Sequence, residues 1–140
     1  MHSVGKSYES YNFHGNQFAL AINAATHVAS SRPDLIKKFN VSLPKTFDEL
    51  FALTDTGLLA MPEIPIHILM NFYVMCCLQG GDPFQREDYI VSEPSGIKAL
   101  KVLKSLADRL NPEFFNWNPI QVYEAMTTRE DLVYCTWAYG

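Results

Sequence analysis

The alternation of apolar and polar positions predicts short strands interleaved with helices. Gln17 to Ile22 reads as a short, largely buried strand after a tight turn at Gly15-Asn16, where glycine takes positive φ at little cost and asparagine tolerates it. The apolar run breaks at Asn23-Ala24-Ala25-Thr26, small and polar residues that let a ligand approach the backbone, and strand resumes from His27 to Ala29. Arg32-Pro33-Asp34-Leu35 opens a helix, with Pro33 suited to its first turn and Asn40 to a left-handed exit. Thr46 and Glu49 form a T-x-x-E capping box for a helix from Phe47 to about Thr54, which Gly57 stops. Leu58 to Met61 is expected as strand.

Ile66 to Gln79 reads as a helix apolar nearly all round, and therefore buried, ended by Gly80-Gly81. Tyr89-Ile90-Val91 is expected as a short strand. Ser92 caps the next helix, on which Ile97, Leu100, Leu103, Leu106 and Leu110 recur at three- and four-residue steps as one apolar face. Asn118 and Gln121 make a second capping pattern, with Pro119 at the first position of a helix reaching about Met126. Leu132 to Thr136 is β-prone. Strands alternating with helices in this way indicate an α/β unit, not a bundle.

At 140 residues the chain amounts to about one domain, long enough to bury a core. Its 48% hydrophobic and 19% charged residues fit a globular domain. A net charge of −4 without a cationic run argues against nucleic-acid binding, which needs clustered Lys and Arg. The longest apolar run, Ile64 to Leu78, contains Pro65, His67 and Asn71 and falls short of a membrane span of about 20 residues. Cys76, Cys77 and Cys135 are odd in number, and adjacent Cys76 and Cys77 face different ways on a helix, so no disulfide framework follows.

Enzyme chemistry lacks a sequence basis. His67 and Cys76 stand roughly 13 Å apart along one helix axis, beyond nucleophile–base contact. No H-x-x-x-H, C-x-x-C, G-x-S-x-G or phosphate-cradling glycine loop occurs. The expectation is no catalytic residue, no metal and no cofactor. Binding needs planar polar side chains and aromatic faces at element ends, and three places offer them. Asn23 and Thr26 either meet a ligand or satisfy backbone at a crossover. Glu63 and His67 flank a helix start, where His67 is either a ligand contact or a helix-capping residue. Trp137 and Tyr139 end the last strand, facing a ligand or packing inside. Phe114, Phe115 and Trp117 read as an apolar plug; left exposed, they would make the chain a protein–protein interaction domain instead.

The order of several short phrases also carries a resemblance. Gly15 to Leu20, Asp34-Leu35, Pro44-Lys45-Thr46-Phe47-Asp48-Glu49-Leu50, Gly80-Gly81-Asp82-Pro83 and Ala138-Tyr139-Gly140 resemble, over nearly the whole chain, the extracellular solute-binding proteins of ABC importers. Within them the chain is similar to the sugar-binding family that includes maltose-binding protein. It departs from the family pattern at Ala21, where proline is usual, and at Asn23, where an acidic or polar hinge residue is usual. The resemblance implies one lobe of a periplasmic-binding-protein type II fold, a mixed sheet flanked by helices. Residues 1–12 would be a flexible lead, 13–30 the hinge and crossover strands, and 31–140 the lobe, with the other lobe and an export signal upstream. It further implies an extracytoplasmic solute, a carbohydrate, captured between two lobes by Asn23, Thr26, Glu63, His67, Trp137 and Tyr139. Tyr139 would be the aromatic platform, a membrane permease the partner, and self-association of an isolated lobe an expected side effect of its exposed inter-lobe face.

Overall fold

The computed structural model describes residues 5–23 and 25–139, with the side chain of Tyr139 excepted. Ala24 of the expected hinge, Gly140 and the first four residues of the expected lead therefore lie outside the described residues. Among the described residues the architecture is mixed α/β, five helices with two small sheets.

The chain starts with a 3-10 turn, Glu9–Tyr11, and a hairpin of β1 (Asn12–Phe13) and β2 (Asn16–Gln17). Its turn is His14-Gly15, at φ 51° and 79°, so the expected turn stands one residue earlier. Consecutive positive φ angles match the right-handed twist of a hairpin. The expected buried strand from Gln17 to Ile22 is absent: β2 ends at Gln17, and Phe18, Leu20 and Ile22 are exposed, Ile22 at 98%. Phe18 meets the Phe13 ring at 6.2 Å between centroids, but Phe13 is itself exposed, so the pair stays at the surface.

The main sheet has the order β3-β5-β4, with β3 (His27–Ser31) antiparallel and β4 (Leu59–Ala60) parallel to the central β5 (Tyr134–Tyr139). His27 pairs with Tyr139 and Ser31 with Tyr134; Leu59 pairs with Tyr134 and Ala60 with Cys135. Between Val28↔Ala138 and Ser30↔Cys135, Thr136 and Trp137 together stand opposite Ala29, a β-bulge. Trp137 sits there at φ 49°, a conformation that costs a bulky residue about 1–2 kcal/mol.

Most helix ends follow the expected caps; Ser92 stands at the N-cap position of the helix that begins at Glu93, but its hydroxyl bonds the Ser95 hydroxyl and no helix amide. α1 (Pro33–Phe39) has Pro33 at its start and leaves through Asn40 at φ 52°, ψ 42°. α2 (Phe47–Asp55) begins where Thr46 Oγ1 accepts from the Glu49 amide; Glu49 Oε2 reaches back to the Lys45 amide at 2.6 Å, one residue before the expected cap amide. α5 (Pro119–Thr128) carries both bonds of its box: the Asn118 side chain accepts from the Gln121 amide, and the Gln121 side chain from the Asn118 amide.

Helix faces follow the expectation only in part, with Leu103, Leu106 and Leu110 buried as expected. α3 (Pro65–Leu78) buries His67, Asn71, Met75 and Cys76 and exposes Ile66, Leu69 and Leu78. A helix apolar all round has no moment to fix its rotation, so its neighbours decide it. α4 (Glu93–Ala107) buries Gly96, Ala99, Leu103 and Leu106, while Ile97 and Leu100 stay exposed. The small residues let α4 come close to α3: a Cβ on Gly96 would lie 3.7 Å from the Phe72 ring. The expected strand at Tyr89-Ile90-Val91 is irregular, because no sheet edge stands beside it; Ile90 instead accepts from the Phe84 amide across a loop.

The core gathers Leu50, Leu59, Met61, Met75, Leu106, Val122 and Cys135 around the sheet, with Phe114 fully enclosed. Phe114 comes from a 3-10 turn, Pro112–Asn116, and meets Trp117 at 5.1 Å between ring centroids. Only Phe115 of the expected apolar plug is exposed.

Candidate functional site

β4 and β5 run parallel, so their carboxyl ends lie at one end of the sheet, and antiparallel β3 begins there. In open α/β sheets that end is where ligands bind. Glu63 follows β4 by three residues and is 4% exposed. Its amide is shared between the carbonyls of Phe114 at 3.1 Å and Trp117 at 3.2 Å, which pins the chain before α3 turns away. His67 and Asn71 follow on α3 at steps of four residues, so one buried face presents both. Asn71 is 0% exposed.

Burial governs the electrostatics of this cluster. It pushes the Glu63 carboxyl up to about 7, against a smaller downward pull from the nearby Asn71 amide. Neither amide atom of Asn71 is in hydrogen-bonding geometry with a described partner, and Glu63 Oε1 is likewise unmatched. His67 has its pKa lowered by burial first and then by the nearness of His27, whose own pKa burial lowers. Near neutral pH the cluster therefore holds neutral imidazoles beside a carboxyl that shares its time between two charge states. Such groups can donate and accept hydrogen bonds to a neutral polar ligand without burying a full charge.

Of the residues singled out by sequence, Glu63 and His67 are both buried, Glu63 beside Asn71 and His67 near His27. Asn23 and Thr26 are exposed on the irregular stretch that leads into His27, hence at the same end of the sheet. The backbone of Tyr139 pairs with His27 there, while its side chain lies outside the described residues. Trp137 is half-buried and lines a lateral cleft with Phe47 and Leu50. Asn71 and His27 are not among the ligand contacts expected from the sequence, although the His67-x-x-x-Asn71 step inside an apolar helix is a readable signal.

The two buried cysteines, Cys76 and Cys135, are poor nucleophiles in this setting. Burial raises Cys76 and pushes Cys135 up to about 12, the reverse of thiolate activation. All three are free thiols. Among the described residues no group of three or more His, Cys, Asp and Glu could hold a metal ion, and no helix is long and apolar enough to cross a membrane. No family model, curated protein or solved structure matches this chain.

Proposed function

We propose that the chain is a substrate-binding part of an ABC importer that captures an extracytoplasmic solute, a carbohydrate, without chemistry of its own. The observation that carries this reading is the convergence of Glu63, His67, Asn71 and His27 at the carboxyl end of β4 and β5. Carboxyl, amide and imidazole groups are planar and suit the paired hydroxyls of a sugar ring. The neighbouring segment carrying Asn23 and Thr26 runs into β3 beside the end of β5, so the chain enters and leaves the sheet at one place. A type II lobe needs that arrangement, because both crossings to the second lobe occur there. Closure of a second lobe over the sugar is then a population shift driven by contacts made only in the closed state, and it is what a permease would sense.

The rival reading, an interaction domain using Phe114, Phe115 and Trp117, loses most of its surface to the burial of Phe114. Amide NMR of the labelled chain, titrated with mono- and oligosaccharides, decides the matter. The expected result is saturable shifts at His27, Glu63, His67 and Asn71 for one sugar class, weakened in Glu63→Gln. A panel that moves none of these resonances overturns the proposal.

A further inference from the structure

A second cleft lies between the start of α2 and the bulge of β5. Its volume is about 270 Å³, and Lys45, Phe47, Leu50, Leu78, Thr136 and Trp137 help to line it. None of the residues of the strand-end cluster does so. The bulge is what shapes it: by setting two β5 residues opposite one on β3, it lets Thr136 and its neighbour Trp137 reach the same wall.

Three features give this cleft a polar preference. Thr136 lines the cleft and is 1% exposed, and its Oγ1 has no hydrogen-bond partner among the described residues. Lys45 lines the mouth and takes part in none of the ion pairs of the described residues. The positive end of α2, a helix of nine residues, opens at Thr46 and Phe47, which also line it. Two first-turn carboxylates would oppose an anion, Asp48 and Glu49; neither lines this cleft, and Glu49 accepts from the Lys45 amide and lines a different groove. The remaining walls are apolar or aromatic: Phe47, Leu50, Leu78, Tyr134 and Trp137.

We propose that this cleft binds a small monocarboxylate with an apolar body, its carboxylate between Lys45 and the start of α2 and within reach of the Thr136 hydroxyl. The ring or branched chain of the ligand replaces water against Phe47, Leu50 and Leu78. This site is independent of the carbohydrate reading, and each can fail alone.

Benzoate and its neutral counterpart benzyl alcohol serve as probes in an NMR titration of the whole chain. Benzoate is expected to shift the Lys45, Phe47 and Trp137 resonances saturably, with Kd on the order of 1 mM for so few atoms. Benzyl alcohol should bind about tenfold more weakly, because it forgoes the charge-assisted bonds. Lys45→Met keeps the aliphatic stem and should abolish that preference. Thr136→Val keeps the shape and should weaken benzoate a few-fold. Absence of saturation, equal binding of the two probes, or a preference unchanged in Lys45→Met each overturns the proposal.

Discussion

Asn71, fully buried on α3, lies close enough to Glu63 to pull down a carboxyl pKa that burial has pushed up. Burial is the larger effect, and it ties stability to pH. A carboxyl with a folded value of about 7 against an ordinary 4.5 holds its proton longer in the folded state. Its contribution to stability is therefore whole below about 4.5 and is lost as pH rises through about 7. The loss amounts to at most about 3 kcal/mol, at about 1.4 kcal/mol per pH unit. His27 and His67 weigh the opposite way, since lowered values cost stability as the pH falls. Denaturant unfolding of wild type and Glu63→Gln from pH 4.5 to 8 separates the two. The difference curve should favour Glu63→Gln increasingly as pH rises and flatten near pH 8.

Asn71→Leu tests the unmatched amide. Leucine has nearly the same size and removes the buried amide, but it also takes away the amide's pull on the Glu63 carboxyl, so the stability lost as pH rises through about 7 should grow in the variant. If the polar stripe binds a sugar, the same substitution should also remove the saccharide-induced shifts. Thermal melts across the same pH range and one titration read both effects.

Gly80 and Gly81 end α3 for different reasons. Gly80 has φ 77° with open space where a Cβ would stand, so Gly80→Ala meets only backbone strain, about 1–2 kcal/mol. At Gly81 a Cβ would lie 2.9 Å from the Cys76 carbonyl oxygen and 3.0 Å from Ser95 Cβ. That carbonyl accepts from the Gly81 amide at 2.8 Å and cannot move off without losing the bond. Gly81→Ala should cost about 1–3 kcal/mol and loosen the start of α4, with Ser95 hydrogen exchange as the sensitive readout.

The capping box of α5 should behave as a local switch of stability. Asn118→Ala removes one bond and strands the amide of Gln121, at a cost of about 1 kcal/mol. Gln121→Ala removes only the returning bond and should cost less. The order of the two midpoints in denaturant is the check.

Where each helix begins and ends was legible, because capping depends on a few neighbours: Pro33, Thr46, Gly57, Asn118 and Pro119 all stand where their local chemistry puts them. Which face each helix buries was not. Ile97 and Leu100 share a stripe with Leu103 and Leu106, yet Gly96 and Ala99 are buried in their place, since close approach to Phe72 outweighs the larger side chains. Tyr89-Ile90-Val91 has strand composition but no neighbouring edge, and edges are a property of the whole fold. Glu63 and His67 were legible from the Pro62-Glu63-Ile64-Pro65-Ile66-His67 phrase at a helix start. The closeness of His67 to His27 depends on the pairing of β3 with β5, across most of the chain's length.

Among the described residues β5 is the last strand in sequence and the middle strand of its sheet. β3 and β4 have no direct pairing with each other; each is held only by β5. During synthesis, then, β3, β4 and all five helices leave the ribosome before any of the main sheet can assemble. Until residues 134–139 emerge, the apolar sides of α2 and α3 have no sheet to cover them. Contacts this distant in sequence close slowly, and the waiting interval is when nascent chains meet chaperones or one another. A truncation just before Tyr134 would leave almost every helix in place and still remove the strand that makes them one molecule.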